Sequence, residues 1–277
     1  MLKTRLIPVL LLKNGVLVRS RSFSLHQSTG NPLFQVERYT DWKADEIIYI
    51  DITRNSQYDL RVGNNVIGST SSNAKIDGTT GNNIIDLIKE VSKICFVPLT
   101  IGGKIRTLDD ICLRLESGAD KVTINSIAIE NPDFIYQAAK EFGSQCIVVS
   151  IDVKMILKNS KEGWVVFKNF GKESTGLNLN NWSKTVENNG AGEILIQSID
   201  KDGDGGGYDI GMINTVADTV GIPVIALGGV GAFEHFSIGY FKGRATALAA
   251  ANIFHFTEHS VLNAKEYLRN NNIDVRV

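Results

Sequence analysis

Apolar residues along the chain fall into eight short runs rather than into long stripes. They are Arg5–Leu11 (RLIPVLL), Glu46–Asp51 (EIIYID), Val97–Ile101 (VPLTI), Lys121–Asn125 (KVTIN), Cys146–Asp152 (CIVVSID), Glu193–Ser198 (EILIQS), Ile222–Leu227 (IPVIAL) and Ala245–Ala250 (ATALAA). Each is followed by a loop and then by a stretch with helical spacing. Near-continuous aliphatic and β-branched runs fit strands buried on both faces, the condition of a parallel sheet. Eight β/α units in succession predict one α/β domain over residues 1–277, a single (β/α)8 barrel. Helix starts carry ordinary signals, such as Asn31 before Pro32.

The chain also repeats itself at half length. Val97–Gly103 (VPLTIGG) is echoed by Ile222–Gly229 (IPVIALGG) with one slip, and the end of the second run (YIDIT) by that of the sixth (QSIDK). Two four-strand halves closing on each other account for this, and no linker divides them. The halves differ in length, since Asp51 to Gly102 spans 51 positions and Asp200 to Gly228 spans 28. The extra residues fall in a Gly/Ser/Asn-rich loop at about 54–81, which follows a strand and so belongs to the catalytic end of the barrel.

Composition narrows the function. With 29 basic and 30 acidic residues and no run of either sign, the chain has no polyanion-binding face, so nucleic acid is not an expected partner. Cys95, Cys112 and Cys146 are odd in number and lie within apolar or helical patterns, which reads as reduced thiols in a cytoplasmic protein. The apolar run Leu6–Leu12 is short and contains Pro8, unlike a secretory leader, and no run approaches the roughly 18 residues of a membrane span.

Candidate chemistry sits where strands end. Gly102–Gly103 and Gly228–Gly229 occupy symmetric positions after strands three and seven, where bare backbone amides can wrap an anion. Each is followed by a strand ending in a small or polar pair, Asn125–Ser126 and Ala251–Asn252. Together they predict a substrate carrying two phosphates, with Arg19, in the loop after strand one, adding charge. Asp200–Gly205 (DKDGDG) imitates the start of a calcium loop, but the twelfth position is Gly211 rather than Glu. It reads instead as a turn in which Asp202 and Gly203 face substrate. Asp152 ends strand five and is placed to act as a general acid or base. No histidine set or metal cluster emerges, and neither metal nor cofactor is expected.

At the opposite end, Arg5, Glu46, Lys121 and Glu193 each open a strand, with alternating sign. They predict a salt-bridged ring across the barrel floor.

These features resemble the HisF family, the cyclase subunit of imidazole glycerol phosphate synthase. The resemblance runs from strand one to Phe254–Phe256 and rests on Phe142–Asp152 (FGSQCIVVSID), Gly190–Leu195 (GAGEIL), Asp202–Gly203 with Gly207–Asp209, and Ile253–Phe256 (IFHF). It implies a barrel that takes ammonia from a glutaminase docked at its floor and uses two aspartates at its mouth to close an imidazole ring on a bis-phosphate ribonucleotide. One of those aspartates falls on Asp152 and the other on Leu11, which can neither move a proton nor hold ammonia. Gln197 and Leu227 stand where threonine and serine are usual. The ring Arg5, Glu46, Lys121 and Glu193 matches the ammonia entrance, and Asp120 matches a glutaminase contact. The pattern is closest to second HisF-like paralogues of surface-polysaccharide (lipopolysaccharide) loci, which accompany a glutaminase and an N-acetyl sugar amidotransferase. Ammonia delivery for amidation of a nucleotide sugar is the leading expectation. An authentic cyclase subunit of histidine biosynthesis is the alternative, and a phosphosugar-binding barrel without a partner is the third.

Overall fold

A computed structural model describes residues 3–55, 57–58, 83–158, 161–256 and 258–276. Most of the loop expected at about 54–81 lies outside the described residues.

Eight strands close into a parallel barrel: β1 (Arg5–Lys13), β4 (Ile47–Asp51), β5 (Leu99–Gly102), β6 (Lys121–Ile124), β7 (Ile147–Lys158), β10 (Glu193–Ser198), β11 (Val224–Leu227) and β12 (Ala247–Ala250). Each pairs with its neighbour in this order, and β12 returns to β1. The expected (β/α)8 barrel is therefore the fold. Alternation explains why the strands read as unbroken apolar runs. Leu6, Leu10, Leu12, Ile47, Val149 and Ile194 face outward into the packed layer beneath the helices. Ile7, Val9, Ile48, Val148, Leu195 and Ile225 face inward and fill the bore. A side chain is buried whichever way it points.

Five of the helices have their starts satisfied by a local side-chain cap. Asn31 caps α1 (Pro32–Asp41), with proline in the first turn, where its missing N–H costs nothing. Asn83 caps α2 (Ile84–Val91), and Thr107 and Asp110 make a capping box on α3 (Leu108–Glu116). Asn178 caps α6 (Leu179–Asn188) and Asp209 caps α7 (Ile210–Ala217). Between α3 and α6 lie α4 (Ser126–Glu130) and α5 (Asp133–Phe142). The chain ends through α8 (Phe233–Phe241), α9 (Asn252–Phe256) and α10 (Ser260–Asn270).

Four further strands were not anticipated. β2 (Val16–Arg21) and β3 (Leu25–Gly30) form a hairpin extension of β1, and β8 (Lys161–Lys168) and β9 (Glu173–Asn178) form one on β7. Arg19 thus lies in β2, opposite Gln27, rather than in a loop. The half-barrel repeat reaches further than the matching segments, because corresponding strands of the two halves carry corresponding hairpins. Even the turns agree. Ser22 and Phe23 have φ of 51° and 55°, and Asn169 and Phe170 have 53° and 60°.

Candidate functional site

The floor ring closes. The Arg5 guanidinium donates from Nη1 to Glu46 at 2.8 Å and from Nη2 to Glu193 at 2.5 Å. Lys121 Nζ bonds the same two carboxylates, at 3.0 Å and 2.6 Å. Thr100, which the sequence reading did not include, donates to the remaining Glu46 oxygen at 2.7 Å. Burial alone would raise the Glu193 carboxyl, but the bonds from Arg5 and Lys121 hold it below the ordinary range. Asp120 is exposed on this face and accepts the Leu99 amide at 2.8 Å. Asp45 does the same for Leu6 at 2.7 Å. These two carboxylates pin the strand starts.

The bore opens at the other end into two cavities. The larger, about 1170 Å³, is lined by Asp152, Gly103, Asn125 and Ser126. The smaller, about 210 Å³, is lined by Asp202, Gly203, Gly228, Gly229, Ala251 and Asn252. Leu11 and Gln197 line both. The predicted anion residues thus divide into one set for each half of the barrel, meeting at Leu11 and Gln197. Gly102 and Arg19 line neither cavity.

Both glycine turns need glycine. A Cβ on Gly103 would overlap the Asp51 carbonyl oxygen, and one on Gly229 would overlap that of Gly207. Their φ values of +98° and +91° also lie where side chains are strained. Among the described residues, the Gly103 and Gly229 amides have no protein acceptor, which suits a bound anion. Charge around the larger cavity points the same way. Lys13, Arg54, Lys104, Arg106, Lys154 and Lys172 line it, against the carboxylates Asp51 and Asp152.

Asp152 is 8% exposed, and Asn125 Nδ2 donates to its Oδ2 at 2.9 Å. Burial lifts its pKa to about 7, with the Asp202 charge adding to the rise and the bonds from Asn125 and Ser150 opposing it. A carboxyl half-protonated near neutrality can both give and take a proton. Asn125, expected to face phosphate, lines the larger cavity and donates from its Nδ2 to Asp152, while its Oδ1 has no partner among the described residues. His26, in β3 and lining the same cavity, has its pKa lowered by burial and by Lys13.

Asp202, which lines the smaller cavity, also holds the chain around it. Its Oδ2 accepts from Ser20 Oγ at 2.7 Å and from the Phe23 amide at 3.0 Å. Gly203 lets the loop press against the Ser20 carbonyl, and Asn252 Nδ2 donates to that same oxygen at 3.2 Å. These three residues hold the β2–β3 hairpin over the mouth. Asp51, on the outward face of β4, is fully buried and bonds Lys104 and the Thr53 amide at 3.0 Å and 2.9 Å.

The fold and site together define a half-repeat (β/α)8 barrel with a charged floor, an apolar bore and a cationic mouth. The family model described as "Histidine biosynthesis protein" matches residues 73–260. The chain is 44% identical, over all 277 residues and the full length of both chains, to a protein of Hydrogenobaculum sp. (strain Y04AAS1) named "Imidazole glycerol phosphate synthase subunit HisF". The chain belongs to the HisF family. Among the described residues, no helix is long and apolar enough to cross a membrane.

Proposed function

We propose that this chain is a HisF-type subunit of a glutamine amidotransferase, receiving ammonia at its floor from a glutaminase and releasing it at the mouth to a phosphorylated acceptor. The observation that supports this reading is a closed ring of four charges at one end of an apolar bore, with Asp152 and Leu11 at equivalent strand ends at the other. A floor with only a structural role gains little from buried charges, whose desolvation offsets much of their mutual attraction. The two glycine turns, one in each half, hold the two ends of the acceptor. Asp152 is the proton-handling group. Amidation of a nucleotide sugar, with an N-acetyl sugar amidotransferase as the acceptor enzyme, is the reaction class favoured here, because it consumes ammonia without requiring a second carboxylate. Neither metal nor cofactor is called for.

The second reading is a complete cyclase subunit of imidazole glycerol phosphate synthase, favoured by 44% identity over the whole chain to a protein of that name. Ammonium salt supplied with the bis-phosphate ribonucleotide separates the two. Turnover depressed about 10²–10⁴-fold relative to a cyclase with both aspartates supports delivery without ring closure. Turnover within tenfold of such an enzyme establishes the cyclase. A glutaminase failing to associate with the purified chain would remove the first reading.

A further inference from the structure

Lys104 follows the Gly102–Gly103 turn with a backbone φ of +56°. That left-handed conformation costs a side chain roughly 1 kcal/mol and ordinarily favours glycine. Its ammonium sits 3.0 Å from Asp51 Oδ2, donates to the Asn55 carbonyl at 2.5 Å, and lies 5.8 Å from the centre of the Tyr58 ring. Asp51 does not depend on it, since the Thr53 amide donates at 2.9 Å and the Tyr58 hydroxyl at 3.4 Å.

Beneath the turn, Arg114 is 4% exposed and donates from Nη2 to the Gly103 carbonyl at 2.9 Å and from Nη1 to the Asp110 carbonyl at 2.7 Å. The turn's carbonyl is thereby occupied. Among the described residues, the amides of Gly103 and Lys104 have no acceptor. The second glycine turn is built differently. The Gly207 amide donates to the Gly229 carbonyl at 2.7 Å, and the next residue is the apolar, buried Val230. Of the two turns, the first alone is followed by a cation.

We propose that Lys104 is the charge-bearing ligand of the Gly102–Gly103 subsite, with Asp51 as its resting counter-ion. When a phosphate-bearing group enters, the ammonium leaves Asp51 for the phosphate while the Gly103 and Lys104 amides donate to the same oxygens. The ammonium stays paired in both states, and Asp51, once released, keeps the Thr53 amide and the Tyr58 hydroxyl as donors and the nearby Arg114 charge as its electrostatic partner. The two ends of a substrate are thereby distinguished, one read by amides and a cation and the other by the backbone of Gly228–Gly229 without one. This rests on the reading of both glycine turns as anion subsites.

The test is a titration of the isotopically labelled full chain with inorganic phosphate, following the amide resonances of Gly103 and Gly229. Lys104→Gly relieves the backbone strain, so the fold is retained; it is expected to weaken phosphate at Gly103 about tenfold while leaving Gly229 within about twofold. Lys104→Arg should keep Gly103 within about threefold. Asp51→Asn should tighten phosphate at Gly103, and looser binding there with Gly229 unchanged rules out Asp51 as the counter-ion. If Lys104→Gly leaves the Gly103 titration unchanged, the role of Lys104 is overturned but the subsites stand. If phosphate moves neither resonance in the unsubstituted chain, the anion-subsite reading itself fails.

Discussion

Leu11 and Asp152 occupy equivalent positions in the two halves of the barrel. Leu11 is in register with Ile50, four residues beyond the floor carboxylate Glu46, and Asp152 is in register with Gln197, four residues beyond Glu193. Each stands where its strand passes from the barrel into a hairpin, opposite Val18 in one case and Phe167 in the other. The mouth therefore has two matched strand-end positions, one occupied by an apolar side chain and the other by a carboxyl. Above them the match is kept, since Lys13 and Lys154, each two residues further along its strand, both line the larger cavity.

The single carboxyl should be visible in the pH dependence of stability. Its folded pKa, about 7, lies above the value of 3.8 for a free aspartate. The folded state therefore holds the proton more tightly than the unfolded chain, and the group's contribution is most favourable below pH 3.8. It is lost as pH rises through 7. Asp152→Asn removes the titration, so the variant should gain about 2–4 kcal/mol on the unsubstituted chain between pH 4 and pH 8. Chemical denaturation at the two pH values measures this, and an equal pH response in both proteins would contradict it.

A carboxylate placed at position 11 should not by itself bring ring closure to the level of a two-aspartate cyclase. Leu11→Asp supplies a carboxylate, but its strand neighbour Ile50 is apolar where Asp152 has Gln197, and Leu227 remains at the mouth. Ammonia-driven turnover of the bis-phosphate ribonucleotide should rise by no more than about tenfold and stay about 10-fold or more below that of a two-aspartate cyclase. Full activity in the single variant would show that the surroundings matter little.

At the floor, Lys121→Ala should affect passage more than folding. Glu46 keeps its bonds from Arg5 and Thr100, and Glu193 keeps both bonds from Arg5. Melting temperature should fall by only a few degrees, corresponding to about 1 kcal/mol. Arg5→Ala deprives both carboxylates of the guanidinium and should cost more, about 3 kcal/mol. With a glutaminase present, the amount of glutamine-derived ammonia reaching an acceptor should change in Lys121→Ala. An unfolded Lys121→Ala chain would make the ring a structural plug.

The β2–β3 hairpin should loosen when its latch is removed. Asp202→Ala leaves the Ser20 hydroxyl and the Phe23 amide without their acceptor, a loss of about 1–3 kcal/mol. Hydrogen exchange should rise in residues 20–24 and stay unchanged in β8 and β9. Protection lost equally in both hairpins would mean that Asp202 supports the mouth as a whole.

Eight strands, their parallel pairing, the half-barrel repeat and the charges of the floor were all legible in the sequence. Each rests on a local or periodic pattern: unbroken aliphatic runs, glycine pairs after strands, and a charged residue before each of four runs. The hairpins after β1 and β7 were not. Leu25–Gly30 and Glu173–Asn178 are polar and largely exposed, so no apolar alternation marks them, and their pairing partners make them strands. The residues expected to bind phosphate divided in the same way. That Gly103 and Gly229 stand at tight turns follows from residue type, because only glycine fits there. That Asp202 is used on Ser20, 182 residues away, and Asn125 on Asp152 could be settled only by contacts between distant segments. Lys104 shows the limit most directly. Beside a glycine pair it reads as an ordinary surface lysine. Closure of the barrel places it next to Asp51, and burial of Asp51 on the outer face of β4 turns that proximity into an ion pair.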